Sequence, residues 1–435
     1  MEYGKGIERT KMDILLLILF LVFLTMGIPI VFAIGLSSVI ILILEGIPLL
    51  LVIQRLFTGS DSFILTAVPF FILAGALMGL GGITSKLVEF AQCLVGHVTG
   101  GLSFVTIVAE MILSGITGSS TADTAAIGSI MIPAMEKEGY ETRYSCALTA
   151  AAGTLGIIIP PSIPMVLYGI IANESIGRLF LAGFIPGVML GVGMMVPAYF
   201  ICKRRNYPKR ARVPFREFLK SLKTSSFALS MPVVIIGGMV AGVVTPTEAG
   251  VLAVLYAAVG GFFVYRELRI SHLPQMFRET VVISATIMII MAVASIFGWI
   301  LADLEVPKKV ADFFLGISQN KYVILFLVNI FLLIVGCFVD LGPALIITVP
   351  IFLPLMKIIG VDPIHFGIIV TINLGIGLIT PPVGTDLYVA CAIGKIGLGD
   401  ISKGIVPFVV WSIVVLMVIT YFPQSVLIVP NLLMK

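Results

Sequence analysis

The amino-acid sequence predicts an all-α polytopic membrane protein made of two inverted repeats, each holding a re-entrant helical hairpin and a broken helix. Three observations predict it: a very apolar composition, a proline and glycine skeleton that recurs 221 residues later, and basic loops that alternate along the chain. Hydrophobic residues make up 59% and charged residues 11%, with a mean hydropathy of +1.15. Soluble domains sit near 45–50% and about 25%. The formal net charge of +4 comes from basic residues gathered in loops, where they orient membrane spans, so a nucleic-acid partner is not implied. The lipid bilayer is the expected surroundings. The five cysteines form no C-x-x-C pair and read as small packing residues.

The repeat relates Ser114–Gly187 to Val335–Phe408 without a gap. Pro133 falls on Pro354, Gly139 on Gly360, Gly156 on Gly377, Pro160-Pro161 on Pro381-Pro382, Gly183 on Gly404 and Pro186 on Pro407. Breaks in membrane helices are tolerated only where the freed backbone groups face protein or a wet cavity, so duplicated breaks point to a duplicated internal site and to a secondary transporter.

In chain order, residues 1–57 form an N-terminal scaffold segment. The run Met12–Leu44 continues past signal-peptide length with no A-x-A-like cleavage site, and Gly27-Ile28-Pro29 breaks it; it reads as one interrupted crossing with the N-terminus in the cytoplasm. Residues 58–202 form repeat 1, with a hairpin at about 100–135 and a broken helix at about 145–172. The hairpin arms meet at SGITGSSTAD and are short of the roughly 20 residues of a full crossing. Residues 203–223 form a linker that carries nine of the 27 Lys and Arg, which places it in the cytoplasm. Two scaffold helices follow over 224–278, separated by Thr245-Pro246-Thr247-Glu248-Ala249, where Thr247 is the expected N-cap. Residues 279–435 form repeat 2, with a hairpin at about 321–356 and a broken helix at about 366–392. Counting crossings from the linker gives this hairpin the opposite orientation and leaves the C-terminus outside. The GxxxG spacings Gly75–Gly79 and Gly187–Gly191 mark close helix contacts, internal or between subunits.

The chemistry concentrates at four polar junctions, Ser114–Asp123, Gly153–Pro164, Val339–Pro343 and Asn373–Asp386. No Walker A pattern occurs, so transport draws on a gradient, and the three histidines form no metal motif. No convergent nucleophile, base or metal set supports an enzyme. Sodium needs several oxygens; broken helices supply carbonyls, and Thr117, Ser119, Ser120, Thr154, Thr380 and Thr385 can add hydroxyls. Asp123 reads either as an ion ligand or as the N-cap of the second arm, Asp340 as a cap, and Asp386 as a ligand or a cap. Few basic residues fall at the junctions. Helix N-termini there could cradle a carboxylate, unless the substrate is not an anion.

Read in order, AVPFFILAGALMGLGGI (Ala67–Ile83), SGITGSSTAD (Ser114–Asp123), IPAMEKEGY (Ile132–Tyr140), GTLGIIIPPSIPMVLYG (Gly153–Gly169), LFLAGFIPG (Leu179–Gly187), TPTEA (Thr245–Ala249) and HFGIIVTINLGIGLITPPVGTDLYVA (His365–Ala390) resemble the large membrane subunit, or DctM type, of tripartite ATP-independent periplasmic (TRAP) transporters. The resemblance runs almost end to end. One departure is Asp386 in PPVGTDL, where many members look like P-P-V-G-x-N-L.

The resemblance implies an elevator-type importer of organic acids such as C4-dicarboxylates or sialic acid in a bacterial or archaeal inner membrane. It implies sodium as coupling ion and no cofactor. Its expected partners are a small four-helix membrane subunit and a periplasmic binding protein. One sodium site would use Thr117, Ser119 and Asp123 with Gly153, Gly156 and Pro160; the other would use Asp340, Gly375, Gly377 and Thr380. Substrate would lie near Ser120, Pro161, Ser162, Thr380, Pro382, Thr385 and Asp386. Two rival readings are a stand-alone sodium- or proton-coupled carboxylate carrier and a channel.

Overall fold

The computed structural model describes residues 2–434, with side chains described from Met12 onward; among these, helices and turns account for all the regular structure. The helices are, in order, α1 (Glu2–Thr25), α2 (Ile30–Leu44), α3 (Leu50–Ser60), α4 (Ala67–Leu80), α5 (Ile83–Val95), α6 (Gly101–Thr117) and α7 (Ser120–Lys137). Then come α8 (Thr142–Gly153), α9 (Ile163–Ala172), α10 (Ile176–Arg204), α11 (Phe215–Val240), α12 (Pro246–Val259), α13 (Leu273–Asp303) and α14 (Val306–Ile317). The chain ends with α15 (Lys321–Phe338), α16 (Leu341–Ile358), α17 (Pro363–Gly377), α18 (Thr385–Gly394), α19 (Leu398–Tyr421) and α20 (Gln424–Leu433). Eight helices among the described residues are long and apolar enough to cross a membrane. Many large apolar side chains, such as Phe57, Val233, Phe263 and Leu432, lie open on the outside, as a lipid-facing surface requires.

The repeat is visible element by element. The hairpin α6–α7, the broken pair α8–α9 and the long helix α10 return as α15–α16, α17–α18 and α19, with starting residues 220 to 222 positions apart. Both Pro-Pro breaks are cis, at Pro160-Pro161 and Pro381-Pro382. In each broken pair the first half-helix ends in a tight turn and the second starts afresh after the prolines, which supply no amide to continue the ladder.

Three expectations need correction. Met12–Leu44 is not one interrupted crossing but two helices folded on each other about Gly27, at φ +78; Leu16 and Phe20 of α1 share one buried cluster with Ile34 and Ile41 of α2 and Phe297 of α13. Uniform apolarity hid the turn. The arms of hairpin 2, expected to end near Val335 and Pro354, are also longer: α15 and α16 reach 18 residues each and qualify as spans by length. Finally, Thr245 rather than Thr247 caps α12. The Thr245 hydroxyl accepts from the Glu248 amide at 3.3 Å, Glu248 accepts from the Thr245 amide at 2.7 Å, and Thr247 instead donates to the Phe63 carbonyl at 3.2 Å.

Three of the four spaced glycines, Gly75, Gly187 and Gly191, make internal contacts, and Gly79 meets nothing. A Cβ on Gly75 would lie 3.4 Å from the Thr117 backbone, and one on Gly191 would press on Met111. After Tyr421 the chain turns at Pro423, and α20 lies back along α10, where Arg178 donates to Asn431 at 3.0 Å.

Candidate functional site

Hairpin 1 turns at Gly118, whose φ of +69 favours glycine and where a Cβ would lie 2.7 Å from the Pro161 carbonyl oxygen. The Ile163 amide donates to the Gly118 carbonyl at 3.3 Å, so the hairpin tip is fastened to the Pro-Pro break of the neighbouring span. The tip of hairpin 2 is formed by Asp340–Pro343. The two tips face each other across a cavity of about 460 Å³.

Four helices begin on this cavity: α7 at Ser120, α9 at Ile163, α16 at Leu341 and α18 at Thr385. The first amides of a helix have no intrahelical partner and carry its positive dipole end. Among the described residues no Lys, Arg or His lines the cavity, and Asp340 is its one charged residue. Its remaining wall is mostly apolar and comes largely from α13, through Val282, Ile283, Ile287 and Ile290, with Thr286 the one hydroxyl among them. The sequence marks α13 only as a crossing; its role as a wall was not legible.

Asp123 is the most enclosed of the expected ion ligands, with no exposed surface. It lies inside the first turn of α7, whose N-cap is Ser119, so the capping expectation for Asp123 is overturned. Its carboxylate instead accepts from the Ser114 hydroxyl at 3.2 Å and from the Thr117 hydroxyl, both on the facing arm. Ser119 stands beside it, its amide 3.5 Å from the Thr117 oxygen. Gly156 abuts the Asp123 carboxylate so closely that a Cβ would collide with it, and Gly153 leaves the same kind of room for the Thr124 hydroxyl. The Thr154 hydroxyl is turned back to Ala151 at 2.7 Å. Thr117, Ser119, Asp123 and Gly156 are thus brought together, with Pro160 just behind the tip, where its carbonyl lies 3.7 Å from the space a Cβ on Gly115 would take.

The second expected ion site is assembled more loosely. Asp340 is exposed on the cavity wall; it holds the N-cap position of α16, but its side chain makes no capping hydrogen bond, contrary to expectation. Gly377 meets the backbone of Gly336 on α15, and Gly375 meets Ile157 from the other repeat. The Thr380 hydroxyl donates to Ile376 at 2.6 Å.

Among the expected substrate residues, Ser120 and Thr385 line the cavity, and Pro161, Ser162, Thr380, Pro382 and Asp386 do not. Ser162 caps α9, accepting from the Met165 amide at 3.3 Å and donating to Ile157 at 2.6 Å. Asp386 is fully enclosed one layer behind the wall, in the first turn of α18 after the N-cap Gly384, and accepts from the Ser120 hydroxyl. That bond joins hairpin 1 to broken helix 2 across 266 residues, a pairing no local pattern could show. Also missed was Glu110, fully buried in the middle of α6. Its sequence signal was present: an ionisable residue inside an apolar arm, on the helix face of Ser114 and Thr117.

Comparison with known proteins agrees with this architecture. The family described as the tripartite ATP-independent periplasmic transporter, DctM component, matches residues 17–425. The chain is 41% identical over 379 residues to the sialic acid TRAP transporter large permease protein SiaM of Vibrio cholerae, covering 87% of this chain and 89% of that one. It is 39% identical to the C4-dicarboxylate TRAP transporter large permease protein DctM of Pseudomonas aeruginosa, covering 87% and 88%. The crystal structure of the YdaH transporter of Alcanivorax borkumensis superposes with a TM-score of 0.60 at 14% identity, over 86% of this chain and 89% of that one, which shows a shared fold. With the family matched from α1 to α20 and the transporter fold matched independently, this chain belongs to the DctM family of TRAP transporter large permeases, which are transporters rather than enzymes.

Proposed function

We propose that this chain is the large transmembrane subunit of a sodium-coupled importer of small organic acids, which takes its substrate from a periplasmic binding protein and works beside a small four-helix membrane subunit in a bacterial or archaeal inner membrane. The observation that carries the reading is the convergence of four helix N-termini, two from each repeat, on one cavity without a basic side chain. Such amides bind a carboxylate without the desolvation cost of a buried arginine, and the apolar α13 wall suits the carbon body of an organic acid. Relatives named for sialic acid and C4-dicarboxylates support this substrate class.

Sodium enters as cargo. Thr117, Ser119 and Asp123 with carbonyls of the Gly153–Pro160 break would hold one ion beside the cavity, and Asp340 with the Gly375–Thr380 turn a second. Each ion adds positive charge where the substrate anion arrives, so binding of ion and anion is mutually favourable. Ser120 links the cavity wall of hairpin 1 to broken helix 2, since it lines the cavity and also donates to Asp386. An elevator movement of the hairpins and broken helices past the α11–α13 scaffold would carry ions and substrate across together.

The test is uptake of sialic acid or a C4-dicarboxylate into liposomes holding this protein with its small partner, with and without an inward sodium gradient and the cognate binding protein. Uptake that needs both is expected. Uptake with sodium alone makes the chain a stand-alone carrier, and passive flux without either makes it a channel.

A further inference from the structure

The carboxylate of Glu110 lies in the arm of hairpin 1 and serves none of the bonds described above. Glu110, Ser114 and Thr117 follow one another at intervals of four and three, so they share a face of α6. Ser114 and Thr117 donate to Asp123 on the facing arm. Glu110, one turn deeper, has no exposed surface, and neither of its carboxylate oxygens has a hydrogen-bond partner. No ion pair among the described residues involves Glu110, Asp123 or Asp386.

A fully enclosed carboxylate must be neutralised by a side chain, a proton or a bound cation. No side chain does so here. A proton turns one oxygen into a donor that, in this setting, has nothing to donate to, and leaves the other oxygen an unmet acceptor. A small hard cation engages the carboxylate oxygens directly and favours just such oxygen surroundings. On the other arm of the hairpin, next to Asp123, the enclosed Thr124 hydroxyl also has no partner and faces Gly153 of α8, which has no side chain to cover it. Hairpin 1 therefore holds more ligand capacity than the Thr117–Asp123 pair uses.

We infer that Glu110 anchors a further sodium site inside hairpin 1, deeper than the Asp123 site and separate from the Asp340 site. The inference rests on the sodium-coupled reading and extends it: each transport cycle carries one more sodium ion than two sites allow. That addition raises the voltage dependence of import and lets a tenfold sodium gradient support about tenfold more substrate accumulation.

The experiment counts sodium. Binding of ²²Na⁺ to the purified protein is measured at saturation, and the reversal potential of substrate flux in the reconstituted complex gives the ratio of sodium to substrate, for wild type and Glu110→Gln. Wild type is expected to bind three ions and Glu110→Gln two, with a coupling ratio lower by one and slower uptake; Glu110→Asp should restore part of the third site. Wild type binding only two ions overturns the inference whether or not the variant folds. An unchanged count and ratio in Glu110→Gln does so too, and reduces Glu110 to a buried acid satisfied by water or a proton. Wild type binding no sodium overturns the sodium-coupled reading itself, and this site with it.

Discussion

Hairpin 1 and hairpin 2 share a backbone and differ in nearly every functional side chain. At the common offset of 221 residues, Ser114 corresponds to Val335, Thr117 to Phe338, Ser120 to Leu341 and Asp123 to Ala344. Hairpin 1 encloses its carboxylate and surrounds it with hydroxyls; hairpin 2 has the exposed Asp340, which stands where hairpin 1 has Ser119. The buried polar groups of repeat 2 lie elsewhere, in mid-span: Asn373 donates to Asn329 at 2.7 Å and Asn329 to Thr420 at 3.0 Å, which binds α15, α17 and α19 into one body. The comparison teaches that the skeleton and the chemistry are separable. Prolines and glycines reproduce the shape of a site, while hydroxyls and carboxylates set how each copy is lined.

The difference can be broken experimentally, most sharply at Asp123. Losing a buried charged ligand costs about 3 kcal/mol, about a hundredfold in affinity. Asp123→Ala should therefore nearly abolish sodium-driven uptake while the protein still assembles with its partner; uptake at wild-type rate and sodium dependence would remove Asp123 from the ligands.

The paired glycines sharpen the same contrast. Gly377→Ala places a methyl against the Gly336 backbone and should destabilise the fold by about 1–3 kcal/mol, read as a lower thermal unfolding midpoint in detergent. Gly156→Ala crowds the Asp123 carboxylate, so its main effect should be about tenfold weaker sodium activation of uptake. Equal effects on both measurements at both positions would erase the distinction between a shape glycine and a site glycine.

Ser120→Ala strips Asp386 of its hydrogen bond and should cost about 1–3 kcal/mol in the sodium-loaded state. Combined with Asp386→Asn it should be non-additive by about 0.5 kcal/mol or more in a double-mutant cycle on uptake; additivity would mean that the two repeats do not communicate there. Asp340→Asn should have the smallest effect, a few-fold rise in the sodium concentration for half-maximal uptake, because this exposed carboxylate is already solvated. An effect as large as that of Asp123→Ala would make the two hairpins chemical equals.

Much of the fold was legible because breaks in apolar helices cost free energy and so persist as Pro and Gly at fixed spacing. Pro160-Pro161 and Pro381-Pro382 mark the broken helices, and SGITGSSTAD marks a tip, from letters alone. The α1–α2 turn was not legible, since Gly27-Ile28-Pro29 suits a kink as well as a reversal and only packing against Phe297 decides between them. In the site, residue types were legible and partners were not. Asp123 stood out as an ionisable group in a span, but whether it capped a helix or met Ser114 and Thr117 depends on how the two arms face each other. Glu110 was not legible as a site residue because a single charge within the apolar arm Gly101–Thr117 gives no sign of what it faces.

The linker between the repeats is shorter in effect than its sequence. Its first part is fastened to repeat 1: Gly100 donates to the Pro208 carbonyl at 3.1 Å, Tyr207 stacks on Tyr140 at 4.1 Å between ring centroids, and Arg210 pairs with Glu138. Helical structure resumes at Phe215. Only the chain between Arg210 and Phe215 is free to extend, five residue steps at about 3.6 Å each, or roughly 18 Å when fully drawn out. That leash sets an upper limit on how far repeat 1 and the start of α11 can separate unless the Arg210 and Tyr207 clasps let go.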